Sequence, residues 1–237
     1  MLNIWDAQDD LDHVGRALLL LERAPAGRDH DGPAALPIGE RDRLLLDLRE
    51  RLFGSQVEAL EQCPACGAQL QIAFNIDAVR LQPQDGANGS VTIEADGFEL
   101  TARPPTSRDL LDIRGCRDIG EARAGLLAKC LAEARRGDVP VEAGDLPDAV
   151  RDALSEALGE ADPQAEIELQ LDCADCGHGW RTHFDIVDYL WAEIEQAGRR
   201  MLRDVHLLAR AYGWPESEIL ALSPRRRGYY LEMILDG

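Results

Sequence analysis

The chain has 237 residues, 45% of them apolar and 29% charged, with a formal net charge of −19. Apolar content at that level, arranged with helical and strand periodicity, sustains a folded core and excludes disorder over most of the length. The acidic excess argues against nucleic acid or an anionic membrane as the main partner. The longest apolar run, Ala17 to Leu21, is far too short to cross a bilayer.

The opening, Met1-Leu-Asn-Ile-Trp-Asp, lacks the basic start of a signal peptide. Six cysteines in such a chain point to a reducing compartment and to metal binding rather than disulfides. Asp9 or Asp10 is expected to cap a first helix with Leu11, Val14, Leu18 and Leu21 inward. A Pro- and Gly-rich loop, Ala24 to Gly39, leads to a second helix from about Glu40. It turns Leu44, Leu45, Leu48 and Leu52 inward and stops at Gly54.

Extended chain then enters Cys63-Pro-Ala-Cys66-Gly67, followed by a strand, Gln69 to Ile76. Gly86, Gly89 and Gly97 punctuate the next stretch, where Ser90–Glu94 and Phe98–Ala102 predict a hairpin turning at Asp96-Gly97. A short helix starts at Thr106 or Ser107, a longer one covers Ile119 to Ala134, and another spans about Pro147 to Leu158. An alternating segment from Ala165 leads into Cys173-Ala-Asp-Cys176-Gly177. From Ile186 the pattern is helical, with Val187, Leu190, Trp191, Ile194, Met201, Val205 and Leu208 on one face. Gly213 ends that helix, and two short ones follow, the last opened by Ser223-Pro224.

The two cysteine arms echo each other. One runs helix, strand, Cys-Pro-Ala-Cys-Gly, strand, Phe74-Asn75-Ile76; the other runs helix, strand, Cys-Ala-Asp-Cys-Gly, strand, Phe184-Asp185-Ile186. The distance from first cysteine to the triplet is the same in both. The expected organisation is N-terminal helices (1–55), a first knuckle (56–81), an inserted hairpin with helices (82–165), a second knuckle (166–185) and a helical arm (186–237). The expected fold is therefore α+β: mostly helical, with two Cys-x-x-Cys β-knuckles forming a zinc-ribbon-like waist.

Two thiolates two residues apart, followed by glycine, make a tight turn that aims both sulfurs at one point. Cys63, Cys66, Cys173 and Cys176 would together supply the soft tetrahedral set that zinc favours in closed structural sites. The alternatives are a redox pair, which would open a helix, two disulfides, or a catalytic zinc drawing on His178 or His183. Cys116 and Cys130 have no companions and read as small buried thiols. There is no P-loop, dinucleotide fingerprint or nucleophile elbow, and no enzyme is expected.

Arg225, Arg226 and Arg227 sit inside the start of the last helix, where the macrodipole disfavours cations. They serve either the chain's own carboxylates or an acidic partner. In the second case Trp214, Tyr229 and Tyr230 are the aromatic anchors beside them.

Several segments together resemble the T4-type phage baseplate family: Leu52-Phe53-Gly54, both Cys-x-x-Cys-Gly units, Arg103-Pro-Pro-Thr-Ser-Arg-Asp-Leu110, and the tail from Trp191 through Tyr212-Gly-Trp214-Pro to Arg225-Arg-Arg-Gly-Tyr-Tyr. The likeness runs from the second helix onward and is strongest after Asp172. It implies a baseplate component or hub assembly chaperone of a contractile phage tail or phage-tail-like injection system. It also implies hub or wedge proteins as partners, and no catalytic residues. Cys-Ala-Asp-Cys departs from the commoner Cys-Pro-x-Cys but keeps the ligands. A zinc-ribbon nucleic-acid-binding regulator and a zinc hydrolase are the rival readings, disfavoured by charge and by ligand count.

Overall fold

The computed structural model describes Trp5 and residues 11–24, 32–81 and 90–235. The expected caps Asp9 and Asp10, residues 25–31 of the first loop, and Gly86 and Gly89 lie outside the described residues. The architecture is α+β, in two units: residues 11–188, and residues 1–10 together with 189–237.

In the larger unit, α1 (His13–Arg23) is capped by Asp12, whose carboxylate accepts the Gly15 N–H. Val14 is buried as expected, but Ala17 and Leu20 share its face while Leu18 and Leu21 are only half-buried. Helix α2 (Ile38–Phe53) starts earlier than expected, after Pro37, which has no side chain to cap it. The cap comes from far along the chain: the Asp162 carboxylate accepts the Gly39 N–H at 2.8 Å. A Cβ at position 39 would lie 1.9 Å from that carboxylate, so only glycine fits. Leu45 and Leu48 face inward, joined by Leu46, whereas Leu52 is 41% exposed and Leu44 half-buried.

Three charged residues of α2 are buried with the leucines, namely Arg41, Asp42 and Arg49. Arg41 donates to Asp42 at 2.7 Å and to the Ser107 hydroxyl at 3.3 Å. Burial pushes the Asp42 carboxyl upward despite that guanidinium. Arg49 donates to the Gly54 carbonyl at 2.7 Å, beyond the helix end, where carbonyls otherwise lack partners.

The middle of the chain builds its own layer pair. Strands β3 (Val91–Ala95) and β4 (Phe98–Ala102) form the expected hairpin, numbered after two strands of the first cysteine arm, β1 (Gln56–Gln62) and β2 (Gln69–Asn75). Asp96 and Gly97 both take positive φ at its turn. The hairpin is not isolated: it continues into β5 (Leu131–Arg136) and β6 (Val139–Pro140), in the antiparallel order β3-β4-β5-β6.

The long helix expected through Ala134 stops at Cys130, as α4 (Ile119–Cys130) after the short α3 (Ser107–Asp112). Leu-Ala-Glu-Ala-Arg-Arg reads as helix by propensity. Pairing with β4 overrides it and turns Ala134 into the core. Helix α5 (Asp148–Ala161) covers this sheet, and Phe98, Leu100, Leu127, Cys130, Val150 and Leu154 form its core. Burial pushes the Cys130 thiol up to about 11, as suits an inert core cysteine. Entry and exit of the segment are tied together by the buried Gln164. Its amide accepts the Leu81 N–H at 2.6 Å and donates to the Val79 carbonyl at 3.1 Å.

The Arg103-Pro-Pro-Thr-Ser-Arg-Asp motif is a splice between this layer and α2. Pro105 accepts the Ile38 N–H at 3.0 Å. Thr106 and Asp109 cap α3 reciprocally in a capping box. Arg103 grips Asp109 with two bonds, at 2.7 and 2.9 Å.

In the smaller unit, α6 (Ile186–Tyr212, its first three residues belonging to the larger unit) ends at Gly213, whose N–H reaches the Ala209 carbonyl. Helices α7 (Glu216–Ala221) and α8 (Pro224–Leu235) follow. Leu190, Trp191, Ile194, Leu208 and Ile219 are buried, and Trp5 packs against Gly198.

The Arg103 bonds, and then those from Thr106, hold Asp109 down to about 2 against its burial. A depressed carboxylate contributes stability above its unfolded pKa, near 4, and loses it as pH falls through the folded value. Asp109→Asn is therefore expected to lower stability at pH 7 and to flatten the acid limb between about pH 4 and 2. Urea denaturation across that range measures both.

Candidate metal centre

Strands β1 and β2 pair antiparallel from Gln56↔Asn75 to Gln62↔Gln69. Strands β7 (Glu168–Asp172) and β8 (Gly179–His183) pair from Glu168↔His183 to Asp172↔Gly179. The two ladders are in identical register, and each residue of the first arm has its counterpart a constant 110 positions later. Even the turn hydrogen bonds repeat. Cys63 N–H donates to the Ala68 carbonyl and Gly67 N–H to the Cys63 carbonyl, both at 2.9 Å. Cys173 with His178 and Gly177 with Cys173 do the same, again at 2.9 Å.

Asn75 and Asp185 each accept an N–H two residues ahead, at 2.9 and 2.8 Å. Phe74 and Phe184 meet edge to face, their ring centroids 5.3 Å apart. The arms thus face each other about a pseudo-two-fold axis that passes between the four cysteines.

On that axis the sulfurs of Cys63, Cys66, Cys173 and Cys176 lie within 4.8 Å of one another. Cys63 to Cys176 and Cys66 to Cys173 are both 3.7 Å, far beyond a disulfide bond. A metal bound tetrahedrally to sulfur at about 2.3 Å needs sulfurs about 3.8 Å apart. The donor set therefore fits an ion of zinc's size and softness. Cys63 and Cys173 are buried and Cys66 and Cys176 exposed, so the cluster has a protein side and a solvent side.

The electrostatics favour a cation there. Burial opposes ionisation of Cys63, but the amides of Cys66 and Ala65, and then the neighbouring thiols, bring it down to about 7. At Cys66 the Ala68 amide favours the thiolate, yet the Cys176 and Cys63 sulfurs outweigh it and push that thiol up to about 12. Despite the His178 amide and the Cys66 thiol, Cys176 is raised by burial and then by the Cys173 and Cys63 sulfurs. One sulfur ionises and hinders its neighbours. Four thiolates at this spacing require a positive charge among them.

Neither histidine suspected from the sequence joins the cluster. His178 is exposed and stacks on Trp180 at 6.1 Å, and His183, also exposed, faces Glu166 at 3.6 Å. Both cysteine turns lie between strands rather than at a helix start. A second group, missed in the sequence, joins His13, Asp185 and Asp188. All three are exposed, and its core is the 2.7 Å bond from His13 to Asp185. Only the fold brings α1 beside the start of α6, so no local spacing signals it.

The tail residues divide into two sets. Arg227 is buried, with Nε 3.5 Å from Asp204, so it is not part of a free basic surface. Trp214 and Tyr230 are half-buried in one aromatic cluster with Tyr212, at 4.8 Å for Tyr212–Trp214 and 4.9 Å for Trp214–Tyr230. Arg225, Arg226 and Tyr229 remain exposed, Arg225 lying 5.9 Å above the Tyr229 ring.

The fold and site define an α+β chain whose two duplicated β-knuckles converge on one four-cysteine cluster. A model of the T4 bacteriophage base plate protein family matches residues 20–191, most of the chain, and the protein belongs to that family. The match takes in both knuckles and the Arg103–Leu110 motif; the tail beyond residue 191 lies outside it. No curated protein and no solved structure matches the chain.

Gly67 and Gly177 turn the two knuckles with φ of 74° and 72°. An alanine there costs about 1–2 kcal/mol of left-handed strain. Because the turns superpose, Gly67→Ala and Gly177→Ala are expected to lower thermal stability, and affinity for added zinc, by similar amounts. Calorimetry and chelator competition compare them. A large inequality between the two would show that the arms are not equivalent.

Proposed function

We propose that this baseplate-family chain acts as an assembly chaperone or minor structural component of the baseplate hub, in a contractile phage tail or phage-tail-like injection system. One structural zinc on Cys63, Cys66, Cys173 and Cys176 locks its fold. The family membership supports the baseplate role and other baseplate proteins as partners. The observation that carries the zinc reading is the four sulfurs, with cross-arm separations of 3.7 Å. In this reading the protein performs no turnover, because four sulfurs fill a tetrahedral sphere and leave no position for an activated water. Its work is done in the bacterial cytoplasm during particle assembly.

Protein purified without added metal should carry about one zinc equivalent by elemental analysis, as a closed site requires. Cys63→Ser or Cys176→Ser should remove most of it and lower the melting temperature, and chelation should do the same to the wild type. A folded wild-type chain that is metal-free and indifferent to added zinc would sink the zinc reading.

Partner contact is assigned to the exposed part of the tail: Arg225, Arg226 and Tyr229, with Trp214 and Tyr230 as the packed base. Arg227 is left out because its loss would disturb the unit itself. Arg225→Gln/Arg226→Gln is expected to leave the melting temperature nearly unchanged. Recovery of baseplate proteins from cells expressing the particle should drop, most clearly at moderate salt. Equal recovery with both proteins, at low and moderate salt, would reject the assignment.

A further inference from the structure

The smaller unit holds a cleft of about 390 Å³ between α6 and α8 that the baseplate reading leaves without a role. Ala197, Arg200, Met201 and Asp204 line it at three- and four-residue spacing along α6; Arg203 flanks them, and Arg227 comes from α8. The lining thus carries three guanidiniums and one carboxylate. Arg200 and Arg203 are exposed at the rim, and among the described residues neither has a carboxylate within ion-pair distance. This is notable in a chain with 44 acidic residues against 25 basic ones, where most arginines of the larger unit are paired.

Arg227 is the stronger sign. Its side chain is 10% exposed, and its carboxylate contact among the described residues, Nε to Asp204, is 3.5 Å long, beyond a good charge-assisted hydrogen bond. Among the described residues nothing accepts from its two terminal nitrogens. The two terminal nitrogens are not sealed from solvent, so the fork can receive a ligand, and a planar fork suits a carboxylate.

We infer that this cleft is a binding site for a carboxylate-bearing peptide segment of a partner protein: one acidic side chain bonds to Arg227, Arg200 and Arg203 close over it, and the hydrocarbon of a neighbouring residue lies on Met201 and Ala197. Charge complementarity calls for an acidic ligand, and the apolar wall of Met201 and Ala197 calls for hydrocarbon beside the acid. Asp204 stands in the same wall, and three guanidiniums against that one carboxylate leave a local surplus of positive charge. Water serves the Arg227 fork in the isolated chain; a carboxylate serves it with opposite charge and a better-matched geometry. The site stands on its own geometry and depends neither on the zinc reading nor on the Arg225–Arg226 surface.

The test uses the full-length protein and a fluorescein-labelled peptide of glutamates interrupted by single leucines, followed by fluorescence anisotropy at low and moderate salt. Binding is expected, weakening with salt, and Arg200→Gln/Arg203→Gln should reduce affinity at least about tenfold, the scale of losing charge-assisted hydrogen bonds. Arg210→Gln, which removes an exposed arginine of α6 outside the cleft, should leave it within about twofold. Met201→Glu, which leaves the guanidiniums in place but puts a carboxylate among them, provides a second variant that should also abolish binding.

Absence of peptide binding, or binding unaffected by the Arg200/Arg203 and Met201 variants, overturns the proposal. So does equal or tighter binding of an oligothymidylate of the same length, which would mark a general polyanion surface. Light scattering that shows the cleft variants dissolving a dimer of this chain would assign the cleft to a second copy, and would also overturn it.

Discussion

Four sulfurs within 4.8 Å of one another, contributed by turns 107 to 113 residues apart, are the constraint on which the larger unit depends. Neither knuckle is a fold by itself. A two-stranded hairpin is marginal in water, and β1–β2 and β7–β8 each form a sheet of only two strands. Each gains its order by meeting the other, through the edge-to-face rings of Phe74 and Phe184 on one side and the cysteine cluster on the other. The ring contact is apolar and modest. The sulfur cluster is repulsive when ionised, so its sign as a stabilising or destabilising element is set by whether a cation sits in it.

The segment between the knuckles is built so that this meeting can happen. It has its own sheet and helices around an apolar core, and its two ends are held together at Gln164 by bonds to Val79 and Leu81. The bonds of Ile38 to Pro105 and Arg41 to Ser107, braced by the Arg103–Asp109 clamp, and the Asp162 cap on Gly39 tie the same segment to α2 from two other directions. Each tie is polar and buried or half-buried, which makes it specific: a carboxylate under a helix N-terminus or in the fork of an arginine tolerates little displacement.

The cysteine site was legible because its signal is local and doubled. Two Cys-x-x-Cys-Gly turns with equal spacing to Phe74-Asn-Ile and Phe184-Asp-Ile can superpose only if the strands between them match. The Asp96-Gly97 turn was legible for a similar reason, since few residues accept positive φ in succession. Elements decided by distant partners were not. Leu131–Arg136 carries helix-forming residues and is a strand because β4 offers an edge. Arg41, Asp42 and Arg49 look like an exposed helix face and are buried because Ser107 and the Gly54 carbonyl complete their bonds. Arg227 looked like its two neighbours in sequence, but helical rotation points it inward toward Asp204 while they face water.

The separation of the two knuckles along the chain also has a meaning in time. A ribosome adding about 5–20 residues per second delivers Cys173 some 5–20 seconds after Cys66, which lies 107 residues ahead of it. Through that interval the nascent chain displays half a coordination shell: two thiols on an unsupported hairpin, beside an exposed Leu60. The intervening layer has all its core residues except those of α5 once residue 146 has emerged, and α5 follows before the second knuckle does. The order of synthesis thus lets the inserted layer fold first and bring its two ends together. The late arm is then delivered to the waiting one, and the search for the correct four sulfurs becomes a short-range event.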